Sequence, residues 1–205
     1  MKMSPASILG ILALISLSGI ARAHGWHDGA AGGGFAAGFA HPFTGVDHLL
    51  AMLAVGLWSA SAGPRPWVAP LSFATVLVAS ALAAGSGLLP AWMQQGTEPM
   101  IAVSVLVLGM LVAWRVRLPA VAGASLVAAF AVFHGAAHGV EIGAGAPTLA
   151  GLAMATVLLH GLGMALGFGL QRAGEPWRRL AGRVVGGAIA LAGLGLGAGL
   201  VATLA

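Results

Sequence analysis

Residues 119–140 read PAVAGASLVAAFAVFHGAAHGV and contain no Asp, Glu, Lys or Arg. At 1.5 Å of rise per residue, a helix over such a stretch crosses about 30 Å of hydrocarbon. Comparable apolar runs occupy 43–62, 67–87, 99–114, 148–170 and 183–204, separated by breaks rich in Pro, Gly and Arg. The sequence therefore predicts an all-α, polytopic membrane protein with six transmembrane helices in the lipid bilayer.

The composition agrees with a membrane protein and excludes several kinds of chemistry. Of 205 residues, 59% are hydrophobic and 7% are charged, whereas a soluble domain has roughly a quarter charged residues. The arginines form no basic patch, so we expect no nucleic-acid partner. The absence of cysteine excludes disulfides and thiolate metal sites. Because Lys2 is the only lysine, neither a phosphate-binding loop nor a Schiff base is expected.

The amino terminus has the pattern of a secretory signal. Lys2 precedes a short apolar core over 8–20, and Ala21-Arg22-Ala23 offers a small-residue cleavage site. The alternative is a retained, slightly short first span. Cleavage of residues 1–23 leaves 24–205 as a single six-helix transmembrane domain, and an even number of spans puts both mature termini on one side.

The positive charges predict which side that is. Cytoplasmic loops of membrane proteins carry an excess of Lys and Arg. With the mature amino terminus outside, all seven remaining arginines fall on the cytoplasmic side: Arg65, Arg115, Arg117, Arg172, Arg178, Arg179 and Arg183. The sequence thus predicts a bacterial inner (cytoplasmic) membrane protein with both termini in the periplasm.

Seven histidines stand out in so apolar a chain, and ionisable groups within spans are usually functional. The first motif runs from His41 to Asp47-His48. Pro42 suits a first helical turn, so we expect His41 at the outer helix start and His48 on the same face. Asp47 then points about 100° away. A capping histidine beside a carboxylate bound to the backbone is the alternative.

The second motif lies at the outer end of the fourth span. His134 and His138 are four residues apart, which places their Cβ atoms about 5–6 Å apart and lets two imidazoles chelate one divalent ion. Glu141 follows three residues later on the same face. The alternative is a buried polar network without metal.

Two further groups are candidates. His160 lies near the middle of the fifth predicted span, where a permeating ion needs an intermediate binding position. His24, His27 and Asp28 follow the predicted cleavage site and form either a loose outer capture site or an irregular terminus.

The runs Gly38 to Trp58 and Phe133 to Glu141 resemble the HupE/UreJ family of small membrane proteins, and the resemblance covers the whole mature chain. It implies a nickel (sometimes cobalt) permease serving a hydrogenase or urease maturation system. The resemblance also implies a metal site at His41, Asp47, His48, His134, His138 and Glu141, with His160 as a further member. The residues themselves indicate only a borderline divalent cation such as Ni²⁺, Co²⁺ or Zn²⁺.

We therefore expect secondary, non-ATP transport of Ni²⁺ or Co²⁺ from periplasm to cytoplasm, without enzymatic activity or a prosthetic group. One alternative is an intramembrane zinc-dependent hydrolase that uses the same His/Asp cluster to activate water. Another is a proton-conducting or structural subunit. Among the glycines, Gly163-xxx-Gly167 and the run Gly193 to Gly199 predict close helix contacts.

Overall fold

A computed structural model describes residues 34–204, and every regular element in this range is a helix. The predicted signal peptide and the candidate capture residues His24, His27 and Asp28 lie outside the described residues. The helices, numbered here from the first described one, are α1 Phe35–Thr44, α2 Val46–Ala62, α3 Val68–Gly85, α4 Ala91–Gln95, α5 Thr97–Ala113, α6 Ala120–Ile142, α7 Ala146–Gln171 and α8 Glu175–Leu204.

Helix length and hydropathy make this a membrane protein. Four helices, α3, α6, α7 and α8, are long and apolar enough to cross a bilayer, and the pair α1 and α2 counts as a fifth if it forms one broken span. Helix α5 is apolar but has 17 residues. The all-helical membrane class is confirmed, whereas the number of six spans remains a prediction.

Helix boundaries follow the predicted spans closely in the middle of the chain and depart from them at both ends. Helix α8 begins at Glu175, well before the predicted start at 183. Pro176 follows directly, in the first turn, where its missing N–H is tolerated. Glu175 lies one turn from Arg178 and Arg179 and pairs with both. The arginine-rich segment is therefore the first part of the helix and not a loop.

A sharp bend splits the first motif. The prediction that His41 and His48 lie on one continuous helix is therefore wrong. Helices α1 and α2 meet at 87°, and Pro42 lies inside α1 instead of in a first turn. A Cβ at Gly45 would lie 2.8 Å from Asp47 Oδ1 and 3.1 Å from His48 Nδ1. Glycine at this position therefore leaves room for the Asp47 and His48 side chains. His41 and His48 do not share a helix face.

Two glycines of the second motif allow α6 to pack closely against α3. Helix α6 packs most extensively on α3. Cβ atoms at Gly135 and Gly139 would collide with the carbonyl oxygens of Leu77 and Ala81 on α3. In a membrane, small interfacial residues permit this backbone approach. Gly135 and Gly139, which directly follow His134 and His138, therefore allow this face of α6 to contact α3.

The next most extensive contacts are those of α8 on α5 and of α7 on both α1 and α2. Gly163 lies against the carbonyl of Leu53 and Gly167 against Ala60 on α2, which confirms the predicted contact. In the predicted run, Gly193 lies against the backbone of Leu106 on α5, as expected, whereas for Gly195, Gly197 and Gly199 the prediction is wrong, because a Cβ there would meet no atom of residues 34–204 within 4 Å.

Candidate metal-binding site

The bend at Gly45 brings His41 and the end of α6 together. His41 Nε2 lies 2.6 Å from Glu141 Oε2, with the two side chains 25% and 46% exposed. His138, one turn before Glu141, places its ring centroid 5.0 Å from that of His41. One candidate ligand atom from each of His41, His138 and Glu141 lies within 4.8 Å of the others. We call these three residues the outer group.

A second set of imidazoles lies deeper. The ring of His48, on α2, has its centroid 4.3 Å from that of His138 and 5.0 Å from that of His134. His134 and His138 are fully buried, and His48 nearly so. We call His48, His134 and His138 the inner group. His138 belongs to both groups, so one ring joins the half-exposed donors to the buried ones.

Two of the inner imidazoles have polar partners that fix their orientation. Asp47 Oδ1 accepts hydrogen bonds from the backbone N–H of His48 at 2.8 Å and from its ring Nδ1 at 2.9 Å. Ser104 on α5 lies with its Oγ 2.8 Å from His134 Nε2. Such outer-shell partners are a general feature of histidines that bind metals. In this geometry Asp47 supports His48 instead of pointing into the group as a ligand.

Several buried ring nitrogens lack a hydrogen-bond partner within residues 34–204. Within the inner group they are Nε2 of His48, Nδ1 of His134 and both nitrogens of His138. Buried polar atoms are normally satisfied, and each exception needs an explanation. Nitrogen atoms converging from two helices and left without donors or acceptors are the atoms that a divalent cation would bind.

His160 is separated from the inner group by an aromatic side chain. The ring of Phe73, on α3, lies with its centroid 5.5 Å from that of His134 and 5.2 Å from that of His160. Both ring nitrogens of His160 are buried without a hydrogen-bond partner among residues 34–204. The structure thus brings together five of the seven predicted residues directly, attaches Asp47 to His48, and places His160 beyond Phe73.

An outward cleft of about 170 Å³ reaches Glu141. Its lining includes Glu98 and Thr97 at the start of α5, together with Gln94 and Ala137. Three residues near the site were not predicted from the sequence: Glu98, Ser104 and Phe73. Glu98 is one of only five acidic residues in the chain, and that rarity was the available signal; nothing in the sequence singles out Ser104 or Phe73 before the helices are packed.

The arginines within residues 34–204 lie at the end of the bundle opposite the histidines. Arg115, just after α5, pairs with Glu175 Oε1 at 2.8 Å, and Glu175 also pairs with Arg178. Nearby, Trp58 Nε1 donates a hydrogen bond to the carbonyl of Val116 at 2.7 Å. Because Arg117 precedes α6 and Glu141 lies in its last turn, the cationic and histidine-rich ends are separated by the length of that helix.

A helical membrane protein with buried histidines converging from separate helices is the class that this fold and site define. The chain belongs to the HupE/UreJ family, since the family model described as "HupE / UreJ protein" matches residues 12–196. A curated relative, "Protein HupE" of Rhizobium leguminosarum bv. viciae, is 39% identical over 204 residues, covering 95% of this chain and 98% of that protein. No solved structure matches this chain. The family resemblance read from the two motifs is confirmed.

Proposed function

We propose that this protein transports a divalent transition-metal ion, Ni²⁺ or Co²⁺, across the bacterial inner membrane from periplasm to cytoplasm. The observation that carries the proposal is the convergence of His41, His48, His134, His138 and Glu141 from three helices, with four buried ring nitrogens of the inner group lacking partners among residues 34–204. Neutral imidazole and carboxylate suit borderline divalent ions. Family membership favours nickel and a hydrogenase or urease maturation system as the recipient.

The proposed topology has three parts that the family and the charge pattern support. Residues 1–23 serve as a cleaved signal peptide, and 24–205 form one domain with six spans, α1 and α2 together making the first. The arginine-bearing end faces the cytoplasm, so both termini of the mature chain lie in the periplasm. The cleft beside Glu141 then opens to the periplasm, where His24, His27 and Asp28 collect the ion.

Transport in this direction needs no ATP. With the cytoplasm negative, a divalent cation gains about 4.6 kcal/mol per 100 mV on entry, twice the value for one charge. The half-exposed outer group exchanges some of the ion's water for Glu141 and His41, and the buried inner group receives it next. His160 is the proposed last ligand before release. Several sites of moderate affinity favour release over retention.

The alternative of an intramembrane zinc-dependent hydrolase receives no support from the family or from the relative. It requires three ligands closed around one ion and a bound water that attacks a substrate. The two functions differ in metal retention. A tightly held, stoichiometric zinc in the purified protein would indicate the hydrolase, and weak, exchangeable nickel would indicate transport.

The deciding experiment measures uptake of labelled Ni²⁺ and Co²⁺ by cells that lack other nickel transporters. We expect the parent chain to accumulate metal and the variants His48→Ala, His134→Ala and His138→Ala to lose most of that accumulation. Ser59→Ala is the matched control, because Ser59 is also fully buried but hydrogen-bonds within its own helix to Val55. Membrane abundance of each variant is measured by immunoblot. Parent-like uptake by all three histidine variants would contradict the proposal.

A further inference from the structure

Ser104 contacts two groups, but its hydroxyl has only one hydrogen to donate. Its Oγ lies 2.7 Å from the carbonyl oxygen of Ile101 and 2.8 Å from His134 Nε2. A carbonyl oxygen can only accept, so the first contact is a hydrogen bond only if the Ser104 hydroxyl donates to Ile101. The second contact is then a hydrogen bond only if His134 Nε2–H donates to the Ser104 oxygen.

This assignment determines where the lone pair of His134 lies. A neutral imidazole carries its proton on one nitrogen and leaves the other as an acceptor or metal ligand. With Nε2 protonated, the lone pair is on Nδ1, which is buried without a partner in the described range. In the opposite tautomer the Ser104 hydroxyl would have to donate to Nε2 and give up its hydrogen bond to the Ile101 carbonyl, so only the Nε2–H tautomer keeps both contacts as hydrogen bonds.

We propose that Ser104 is a positioning residue, which holds His134 as the Nε2–H tautomer and so makes Nδ1 its ligand atom for a divalent cation. This inference rests on the proposed transport function and goes beyond it by naming the ligand atom and the group that selects it. Ser104 plays toward His134 the role that Asp47 plays toward His48. Two different helices, α5 and α2, thus orient neighbouring imidazoles of the inner group.

The test compares Ser104→Thr with Ser104→Val in the full-length protein in lipid nanodiscs. Thr and Val have the same shape and differ in the hydroxyl, so any packing disturbance is common to both. Nitrogen-15 NMR of labelled histidine reports the tautomer of His134 without metal, with His134→Ala identifying the resonance. We expect Thr to retain the Nε2–H tautomer and Val to lose it.

The same proteins are titrated with Ni²⁺. The Val variant should bind Ni²⁺ about 10–100-fold more weakly than the Thr variant, the range for loss of an outer-shell partner. Ser59→Ala is again the control, because Ser59 is as buried as Ser104 and lies on α2 with its hydroxyl donated to Val55. It should keep both the tautomer and the affinity of the parent.

Identical tautomer signals in the Val and Thr variants would overturn the positioning role, as would identical Ni²⁺ affinities. Failure of the proposed function gives a different result. In that case the parent neither binds nor transports Ni²⁺, while the metal-free tautomer measurement still decides whether Ser104 selects Nε2–H. The two hypotheses therefore fail in separate measurements.

Discussion

Asp47 Oδ1 accepts two hydrogen bonds from His48, one from its backbone N–H at 2.8 Å and one from its ring Nδ1 at 2.9 Å. Because Asp47 directly precedes His48, the pair is built from adjacent residues at the first turn of α2. The carboxylate holds the ring in one orientation and leaves Nε2, which has no partner among residues 34–204, directed away from it.

We therefore predict that Asp47→Ala lowers the apparent affinity for Ni²⁺ by about 10–100-fold, the range for outer-shell partners. Asp47→Asn retains an acceptor oxygen without the charge and should cause a smaller loss. The concentration dependence of Ni²⁺ uptake measures both. Equal and complete loss in the two variants would indicate that Asp47 binds the ion directly.

The bend at Gly45 gives a second prediction. In Gly45→Ala the added methyl group would lie 2.8 Å from Asp47 Oδ1 and 3.1 Å from His48 Nδ1, so the pair must shift. We expect Ni²⁺ uptake to fall several-fold at unchanged membrane abundance. Gly169→Ala is the control, since a Cβ on that helical glycine would meet no atom of the described residues within 4 Å. Parent-like uptake by Gly45→Ala would show that the placement of this pair is unimportant.

The contact between α3 and α6 gives a prediction about stability. Gly135→Ala and Gly139→Ala each force a methyl group into a carbonyl oxygen of α3. Overpacking of this kind costs about 1–3 kcal/mol, and we expect each variant to have a lower thermal midpoint in detergent. Gly187→Ala on α8, where a Cβ would meet no atom within 4 Å in the described part of the chain, should leave the midpoint unchanged or raise it, because Ala favours helix over Gly. Equal midpoints in all three variants would contradict the packing.

Acidification should reduce uptake. An imidazole binds a metal ion only through an unprotonated nitrogen, so protons compete with the ion for the same atoms. Uptake into vesicles with a clamped membrane potential should therefore fall as the outside pH is lowered from about 7.5 to about 5.5. A flat profile over this range would contradict imidazole ligation.

The apolar runs predicted α3, α5, α6 and α7 to within a few residues, because span length is set by bilayer thickness and is visible in hydropathy. The spacing of His134, His138 and Glu141 also predicted one shared face. The bend at Gly45 was not predictable in this way. It lies at Gly45, where a Cβ would crowd Asp47 and His48, and the hydropathy of 43–62 is that of a continuous helix.

Contacts between helices distant in sequence were the part of the site that was hardest to predict from the sequence. Ser104 is one of many hydroxyl residues in apolar runs, and only packing of α5 against α6 places it on His134. Phe73 likewise has no sequence feature that distinguishes it from other aromatic residues in the spans. Motif residues could be predicted because their chemistry is unusual in a membrane, whereas their supporting partners are chemically ordinary.

His138 contacts both His41 and His48. Because it belongs to both the outer and the inner group, it can bind an ion before and after the ion moves between them. An ion that keeps its bond to His138 can replace Glu141 and His41 by His48 and His134 one donor at a time. The coordination number then stays nearly constant during the step inward. Passage by successive ligand exchange would avoid a bare cation in the hydrocarbon region, where its free energy would be prohibitive.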